Sequence, residues 1–346
     1  MSAVTEARPE KIPNEPFFRG PGRKKGGLNE AHGRWAVYLI APAIILLVIV
    51  IGYPVVSAII MSFQKDAGLD KATGLFVEGG FAGFSNYTHW LLQQCVSSTG
   101  AVSSCPPGNL GAQFWNAFGT TFFFTAVTVV LETVIGVWMA IIMNRNFRGR
   151  GLVRAAILIP WAIPTAVTAK LWYFIFAYNG ILNSVLGTQI LWTSDEWASK
   201  FAIIIADTWK TTPFMALLIL AGLQLIPAEV YEAGKMDGAS TVQQFFRLTL
   251  PLVRPALLVA ILFRVLDALR IYDLPAILTG GGGGSGNATT TLSILVVDQI
   301  RQGFNSASAL STITFLIIFA VAFIFVRFLG ANVVQTQSNQ QKGVLK

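Results

Sequence analysis

The chain has 346 residues, of which 53% are hydrophobic and only 12% are charged, and its mean hydropathy is +0.60. Soluble domains carry about 25% charged residues, so the composition disfavours a soluble protein and favours one that crosses a membrane several times. The net charge of +8 comes from basic residues between the apolar segments. It therefore predicts no nucleic-acid partner.

Six apolar segments are long enough for a membrane helix, which needs about 20 apolar residues. Backbone groups in hydrocarbon must be satisfied within the segment, so the sequence predicts an all-α membrane protein with six transmembrane helices. We place these at residues 35–63, 114–143, 153–177, 201–226, 255–279 and 309–329. The first is predicted to be a retained helix, because its apolar run exceeds the roughly 7–15 residues of a signal peptide.

Basic residues are predicted to stay on the cytoplasmic side. They are concentrated before the first span, after the second and between the fourth and fifth, so both termini are predicted to be cytoplasmic. The predicted organisation is a disordered basic cytoplasmic tail at residues 1–34, a transmembrane domain at 35–332 and a cytoplasmic C-terminal tail at 333–346.

Residues 64–112 form the long external connection in this topology, and they contain Cys95 and Cys105. A disulfide is permitted outside the cell, so a bridge between the two and a pair of free thiols are both open. His32 and His89 have no companions at metal-ligand spacing, and we predict no metal site.

A second connection, residues 227–254, lies on the predicted cytoplasmic side. Its pattern favours one short helix at 229–237 and another at 241–248, with Gly238 at the break, where a left-handed residue is often required. Taken alone, such a segment is also typical of an amphipathic connector that rests on lipid headgroups.

This connection resembles the EAA loop of ABC-importer permeases, which reads Glu-Ala-Ala, three residues, Gly, nine residues, Ile, one residue, Leu-Pro. Here Glu232-Ala233-Gly234 stands for the triplet, Gly238 matches the glycine, and Leu248 with Leu250-Pro251 closes the pattern. Gly234 for Ala and Leu248 for Ile are the departures. Further motifs that resemble the carbohydrate branch, which includes the maltose and trehalose importers, are Leu158–Pro164, Asn179–Asn183, Thr208–Met215 and Leu278–Gly282.

The resemblance implies a type I ABC importer permease in a bacterial cell membrane. It implies as partners a second homologous permease, two ATP-binding subunits and an extracytoplasmic sugar-binding protein. Residues expected to couple to the ATPases are Glu232, Ala233, Gly234, Asp237 and Gly238. The chain has no G-x-x-x-x-G-K-[ST] phosphate loop, so it is not expected to be an enzyme or to hold a cofactor. ATP and Mg would be bound by the partner subunits.

Charged residues inside the predicted spans are costly and usually face a cavity or a partner. Asp207, Lys210, Thr211 and Phe214 are spaced along one helical face, and so are Arg264, Asp267, Ala268 and Ile271. These side chains are predicted either to lock the bundle, with Asp207 paired to Lys210 and Asp267 to Arg264 or Arg270, or to bind substrate. The family resemblance favours all eight as sugar contacts.

Five other residues are expected to have structural roles. Pro213 is predicted to kink the fourth helix. Glu132, Lys170, Arg270 and Asp273 are predicted to pair between helices rather than to bind sugar.

The charges of the two stripes nearly balance, which favours a neutral saccharide. The run from Arg264 to Asp273 most resembles the trehalose branch, so trehalose is the first choice. Maltose, another oligosaccharide or glycerol phosphate are the alternatives. Functions from other classes are an ion-coupled secondary transporter, for which no inverted repeat is evident, and a regulatory membrane scaffold.

Overall fold

The computed structural model describes residues 27–69, 76–96, 101–282 and 287–344, with side chains given for 37–68, 76, 78–95, 101–282 and 287–327. Residues 1–26 of the predicted tail at 1–34 thus lie outside the described part of the chain. The chain divides into two units, residues 1–56 and 57–346.

The first unit is helical throughout its described part. Helix α1 (Gly27–Leu47) continues through a π-helical turn (Val48–Gly52) into α2 (Tyr53–Met61). Residues 27–34 are therefore helical, and the prediction of disorder for them was wrong, since the membrane helix extends back into the polar segment. None of residues 37–61 is buried, as suits an apolar helix surrounded by lipid.

The second unit is mostly helical, with short strands near its start. The strands are β1 (Gln64–Lys65), β2 (Gly68–Leu69), β3 (Phe76–Val77), β4 (Gly80–Phe81), β5 (Gln94–Val96) and β6 (Val102–Ser104). The helices are α3 (Ser85–Leu91), α4 (Phe114–Asn144), α5 (Arg150–Ala162), α6 (Thr165–Ile175), α7 (Ile181–Leu186), α8 (Glu196–Gln224), α9 (Ala228–Met236), α10 (Thr241–Gln244), α11 (Leu250–Ala268), α12 (Asp273–Leu278), α13 (Leu292–Ile300) and α14 (Phe304–Val344). A 3₁₀ turn (Leu110–Gln113) precedes α4, and a π-helical turn (Phe245–Thr249) joins α10 to α11.

The predicted membrane-spanning helices are confirmed as five long apolar helices and one bent pair among the described residues. The third span is not the single helix that we predict, because α5 and α6 meet at an angle of 92°. Pro164 has no N–H, and the preceding Ile163 is extended at ψ 133°. A residue before proline is disfavoured in the helical region, so the break has a local cause. Helix α8, by contrast, continues through Pro213 without a break.

The fifth span differs from its prediction at both ends. Its helix begins at Thr241 and is continuous to Ala268, so the second short helix of the 227–254 connection does not end at Leu248. It stops at Ala268 rather than at residue 279. Pro275 cannot donate to the carbonyl of Ile271, four residues earlier. The Thr291 hydroxyl donates to that carbonyl instead, at 2.9 Å.

Helix α14 reaches Val344, so the predicted C-terminal tail at 333–346 continues the last span as helix over most of its length. A glycine-rich run at residues 280–286 follows α12, and its first two residues, Gly280 and Gly281, have positive φ values of 67° and 78°. Residues 283–286 of that run lie outside the described part.

Helices α4 and α8 form the centre of the second unit, and α11 packs against both. Small residues allow the close approach. A Cβ atom added at Gly222 of α8 would lie 2.3 Å from Ala256 Cβ of α11, and one added at Gly136 of α4 would lie 3.1 Å from Met215 Cβ of α8. Buried apolar side chains, including Met143, Met215 and Ile219, fill the space between the helices.

The described part of residues 64–112 contains three small antiparallel pairs: β1 with β4, β2 with β3, and β5 with β6. A disulfide joins Cys95 to Cys105 across the last pair, with Cα atoms 4.8 Å apart. The segment is fixed to the start of α14, because the Asp66 carboxylate accepts from the backbone N–H groups of Asn305 and Ser306 at 2.6 and 3.0 Å.

His89 lies beside this disulfide, with its Nδ1 atom 3.8 and 3.9 Å from the two sulfurs. The expectation that it has no companions was therefore wrong, because the strand pairing brings them together. The sulfurs are bonded to each other, and a metal requires thiolates. The Nδ1 atom is 2.8 Å from the carbonyl of Gln94 and donates to it. Burial lowers the pKa of His89 below its ordinary value.

Replacing Gly222 by alanine should destabilise the bundle by about 1–3 kcal/mol, because the new methyl group overlaps Ala256 and forces α8 and α11 apart. Thermal unfolding of the purified chain in detergent measures this. Gly119→Ala in α4 is the matched control, since an added Cβ there meets no atom within 4 Å. An equal loss of stability in both variants would contradict the proposed packing role.

Candidate functional site

A buried ion cluster joins three helices inside the second unit. Arg264 of α11 is 2% exposed and donates to Glu132 of α4 and to Asp207 of α8. Its second contact with Glu132 measures 2.9 Å from Nη2 to Oε1. Its Nη1 atom lies 3.0 Å from Asp267 of its own helix. One guanidinium thus serves three carboxylates, which its planar set of five N–H donors permits.

Thr211 and Thr128 complete this cluster. The Thr211 hydroxyl lies 2.6 Å from Glu132 Oε1 and 2.7 Å from the carbonyl of Asp207. Thr128 lies one helical turn before Glu132, with its hydroxyl 3.4 Å from Arg264 Nη2. The cluster lies near the middle of α4, because Glu132 is 18 residues, or about 27 Å at 1.5 Å per residue, from the start of this 31-residue helix.

A polar cavity of about 130 Å³ opens beside the cluster. It is lined by Thr165, Asp207, Lys210, Thr211, Arg264, Asp267, Arg270, Ile271, Tyr272, Asp273 and Leu274. Of the carboxylates bonded to Arg264, that of Asp267 is accessible, since its side chain is 63% exposed while that of Asp207 is 9% exposed. Lys210 Nζ donates to the carbonyl of Ile163 at 2.6 Å.

The cavity lies where two helices are interrupted. Ile163 belongs to the break between α5 and α6, and residues 269–272 connect α11 to α12. Helix α12 packs against α6, so the two interruptions are neighbours. Irregular backbone at membrane depth is tolerated only where it is buried in protein or lines an aqueous cavity. This arrangement therefore favours a functional cavity over a purely structural interface.

The structure brings together six of the eight predicted sugar contacts: Asp207, Lys210, Thr211, Arg264, Asp267 and Ile271. It does not place the other two in the cavity. Phe214 stacks on Trp161 at a ring distance of 5.9 Å, and Ala268 is 1% exposed. Ile271 reaches the cavity from the connection after α11, not along a helical face, because the helix has already ended.

The ion pairs differ from the predicted ones in part. Asp207 pairs with Arg264 and not with Lys210, while Asp267 pairs with Arg264, one of its two predicted partners. Glu132 does pair between helices, as we predict. Lys170 instead lies 5.5 Å from the ring of Tyr173 in its own helix. Arg270 donates to the carbonyl of Leu266 at 3.1 Å and caps the end of α11.

The sequence analysis did not predict that Thr165, Tyr272 and Asp273 line a cavity. Thr165 directly follows Pro164, and Tyr272 and Asp273 stand three and two residues before Pro275, at the start of α12. In hindsight each proline carried the signal, since it marked a backbone interruption within a predicted span.

The other predicted site is an elbow, which we define as residues 228–249: α9, the turn at 237–240, α10 and the π-helical turn. Gly238 has a φ of 75°, so its predicted left-handed conformation is confirmed. Ser240 caps α10 in a reciprocal capping box with Gln243. Glu232, Ala233, Asp237 and Gly238 are exposed, so this face of the elbow is open to a partner.

The two departures from the EAA pattern lie in contact with each other. A Cβ atom added at Gly234 would be 2.8 Å from Leu248 Cδ1. Glycine at this position thus leaves space for the leucine that replaces isoleucine. The departures compensate each other and keep α9 close to the π-helical turn.

Comparisons with known proteins agree with this geometry. Residues 132–336 match the family model described as "Binding-protein-dependent transport system inner membrane component". The chain belongs to this family. It is a multi-pass membrane permease of the ABC-importer type, and it is not itself an enzyme.

Among the permease's relatives is the trehalose transport system permease protein SugA of Mycobacterium tuberculosis, 37% identical over 88% of this chain and 92% of that protein. The trehalose/maltose transport system permease protein MalF of Thermococcus litoralis is 42% identical over 62% of this chain and 74% of that protein. The sulfoquinovosyl glycerol transport system permease protein SmoG of Agrobacterium fabrum is 36% identical over 85% and 90%.

A solved bacterial ABC transporter that imports the acidic polysaccharide alginate has the same fold. Its matching chain aligns with a TM-score of 0.68 at 18% identity, over 88% of this permease and 98% of that chain. The family model begins at Glu132, so the charged residues of the ion cluster, the polar cavity and the elbow lie inside the matched region, while Thr128 lies just before it.

Replacing Arg264 by leucine should lower the free energy of unfolding by about 3–5 kcal/mol, because it leaves Glu132 and Asp207 as unpaired buried charges. The double variant Arg264→Leu/Glu132→Leu should recover part of this loss, since it removes one of the carboxylates left without a partner. Thermal unfolding and yield of folded protein measure both variants. A single variant as stable as the natural chain would show that the cluster does not hold the helices together.

Proposed function

We propose that this permease is a transmembrane subunit of an ATP-driven sugar importer and translocates a disaccharide, with trehalose favoured. The observation that supports it most strongly is the meeting of two interrupted helices at a charged cavity in mid-membrane. The names of the relatives agree with a sugar, since two of them are named for trehalose or for trehalose and maltose.

The cavity has the chemistry that a sugar needs. Sugar hydroxyls both donate and accept, so an accessible carboxylate at Asp267 and an ammonium at Lys210 suit them together. Thr165 and Tyr272 add neutral hydroxyl groups, and Ile271 adds an apolar surface.

The charge balance favours a neutral sugar over an anionic one. The cavity lining has three acidic residues, Asp207, Asp267 and Asp273, and three basic residues, Lys210, Arg264 and Arg270. Glu132 lies directly behind the lining, bonded to Arg264, so the basic residues of the cavity are not in excess over the carboxylates. Glycerol phosphate and acidic saccharides need such an excess of positive charge, whereas trehalose and maltose do not.

Arg264 and Glu132 are positioning residues in this proposal. The guanidinium of Arg264 already serves three carboxylates, and Glu132 is 0% exposed. Their role is to hold Asp267 and the end of α11 in place. Direct sugar contacts are assigned to Asp267 and Lys210 and to the cavity residues at the start of α12 and just before it, which are Arg270, Ile271, Tyr272 and Asp273.

A second permease completes the site in this proposal. The cavity of about 130 Å³ is smaller than the roughly 300–1,000 Å³ of ordinary ligand pockets. A disaccharide therefore needs surface from another chain or an opened state of this one. The family resemblance supplies both, through a homologous permease and through alternating access.

The elbow is proposed to be the docking site for one ATPase subunit. A second ATPase subunit docks in the same way on the partner permease. Exposed apolar side chains accompany Glu232 on and beside the elbow: Met236 is 89% exposed, Val242 66% and Phe246 61%. Apolar and acidic groups together suit a protein cleft with a basic residue. In the proposed orientation the elbow and both termini are cytoplasmic, and an extracytoplasmic sugar-binding protein delivers substrate at the opposite end. ATP and Mg are bound by the ATPases.

Transport then follows from assembly. Closure of the ATPases on ATP draws the elbows together, and the cavity opens outward to receive sugar; hydrolysis resets it. The sugar must bind the two states differently for the cycle to be driven.

Replacing Asp267 by alanine should raise the disaccharide concentration for half-maximal ATPase stimulation by about 10- to 100-fold. A hydrogen bond to a charged group contributes about 1.5–3 kcal/mol, and the exposed carboxylate contributes little to the fold. The measurement uses the reconstituted complex with its binding protein and a panel of disaccharides. Asp298→Asn in α13 is the control, since its carboxylate pairs with Arg301 away from the cavity.

Unchanged stimulation by every disaccharide in the Asp267→Ala complex would contradict the sugar site. Sugar uptake driven by an ion gradient in vesicles that contain only the permeases would contradict the ATP-driven mechanism and favour a secondary transporter.

Replacing Glu232 by lysine should lower the amount of ATPase that co-purifies with the permease by at least about ten-fold, because like charges would face each other in the docked cleft. Glu229→Lys is the matched control, an exposed carboxylate three residues earlier in α9. The measurement is the subunit ratio after affinity purification through the permease. Equal assembly of both variants would rule out the assigned docking role of Glu232.

A further inference from the structure

A second and larger cavity lies between the end of α4 and the elbow. Its volume is about 530 Å³. It is lined by Ile141, Asn144, Arg145, Asn146, Leu223, Tyr231, Lys235, Thr241, Gln244, Phe245 and Thr249. We call it the elbow cavity. It shares no residue with the polar cavity, and neither the family motif nor the proposed sugar site accounts for it.

The charged groups of the elbow cavity are all positive. Arg145 comes from the loop after α4 and Lys235 from the last turn of α9, and none of the lining residues is acidic. Within the described part of the chain, neither cation forms an ion pair. Arginine and lysine converging from two elements, with no carboxylate between them, favour an anionic ligand.

Neutral donors surround these cations. The side-chain amides of Asn144 and Gln244 and the hydroxyls of Thr241 and Tyr231 line the same space. Tyr231 Oη lies 3.3 Å from Thr249 Oγ1, so the two hydroxyl groups lie side by side in the cavity wall. A phosphate group accepts several such bonds at once, whereas a chloride ion would leave most of the volume unfilled.

The π-helical turn at Phe245–Thr249 contributes its first and last residues to the cavity lining. Such turns inside a helix are frequent at functional sites. Here the turn joins the elbow to α11, and the Thr249 hydroxyl also lies 3.3 Å from the carbonyl of Gln244. A ligand held by Arg145 on one side and Lys235 on the other would therefore link the end of α4 to the elbow across this joint.

We propose that the elbow cavity binds a phosphate-bearing anion that ties the elbow to α4. The ligand is the headgroup of an anionic phospholipid or a soluble phosphate. Basic pockets among transmembrane helices at the cytoplasmic face bind phosphorylated headgroups, and the cavity lies at the end of α4 and α8 where the proposed orientation puts that face.

Binding is tested on the purified full-length chain in detergent by native mass spectrometry and thermal unfolding. Phosphatidylglycerol, phosphatidylcholine and inorganic phosphate are supplied separately. The natural chain should retain phosphatidylglycerol or be stabilised by phosphate, and the double variant Arg145→Gln/Lys235→Gln should bind at least ten-fold more weakly. Retention of phosphatidylglycerol alone identifies a lipid site, and stabilisation by phosphate alone identifies a soluble ligand.

Arg148→Gln is the matched control, an exposed cation in the same loop that does not line the cavity. Equal weakening by Arg148→Gln would reduce the effect to surface charge and overturn the proposal. Failure of the natural chain to distinguish phosphatidylglycerol from phosphatidylcholine, together with no response to phosphate, would overturn it as well.

Hydrogen exchange tests the tie itself. The bound anion should slow amide exchange in residues 228–249 of the natural chain and leave exchange in the double variant unchanged. Binding without any slowing in the elbow would overturn the proposed tie. These measurements need neither ATPase nor sugar, so their outcome is separate from that of the proposed transport function.

Discussion

The structure depends on one buried guanidinium. Arg264 bonds to Glu132 on α4, to Asp207 on α8 and to Asp267 on its own helix. Each of these charges would cost at least about 2.5–3.5 kcal/mol at the centre of a bilayer. Together they satisfy one another, so the cost is offset only when the three helices hold one particular register. The cluster therefore specifies how α4, α8 and α11 are aligned.

This alignment also positions the polar cavity. Because Arg264 is close to the end of α11, the chain leaves the helix beside the cluster, and the connection to α12 becomes part of the cavity wall. The break at Pro164 meets it from α6, with Lys210 bonded to the carbonyl that the break exposes. The charges that fix the helices and the groups proposed for substrate are thus one continuous network.

The last part of the elbow and Arg264 of the cluster lie on one helix, which runs from Thr241 to Ala268 without a break. Arg264 is 23 residues from Thr241, or about 35 Å at 1.5 Å per residue. In the proposed transport cycle, a displacement of the elbow therefore moves Arg264 directly, with no hinge at Leu248 to absorb it. The π-helical turn at Phe245–Thr249 is part of this continuous helix, and its first and last residues line the elbow cavity.

Hydrophobicity and charge in the sequence determined the membrane class and the number of spans. The left-handed conformation of Gly238 also follows from local chemistry, because glycine has no Cβ atom. The EAA pattern likewise determined the family. The partners of the intramembrane charges were decided only by the tertiary structure. Spacing along α8 suggests that Asp207 pairs with Lys210. Asp207 pairs instead with Arg264 of α11, because the guanidinium can donate to several carboxylates at once. Lys210 donates to the carbonyl of Ile163. Pro164 lies two residues after the end of α5, whereas α11 ends at Ala268, seven residues before Pro275. That these ends meet and form one cavity follows from packing between segments more than 100 residues apart, which no local pattern contains.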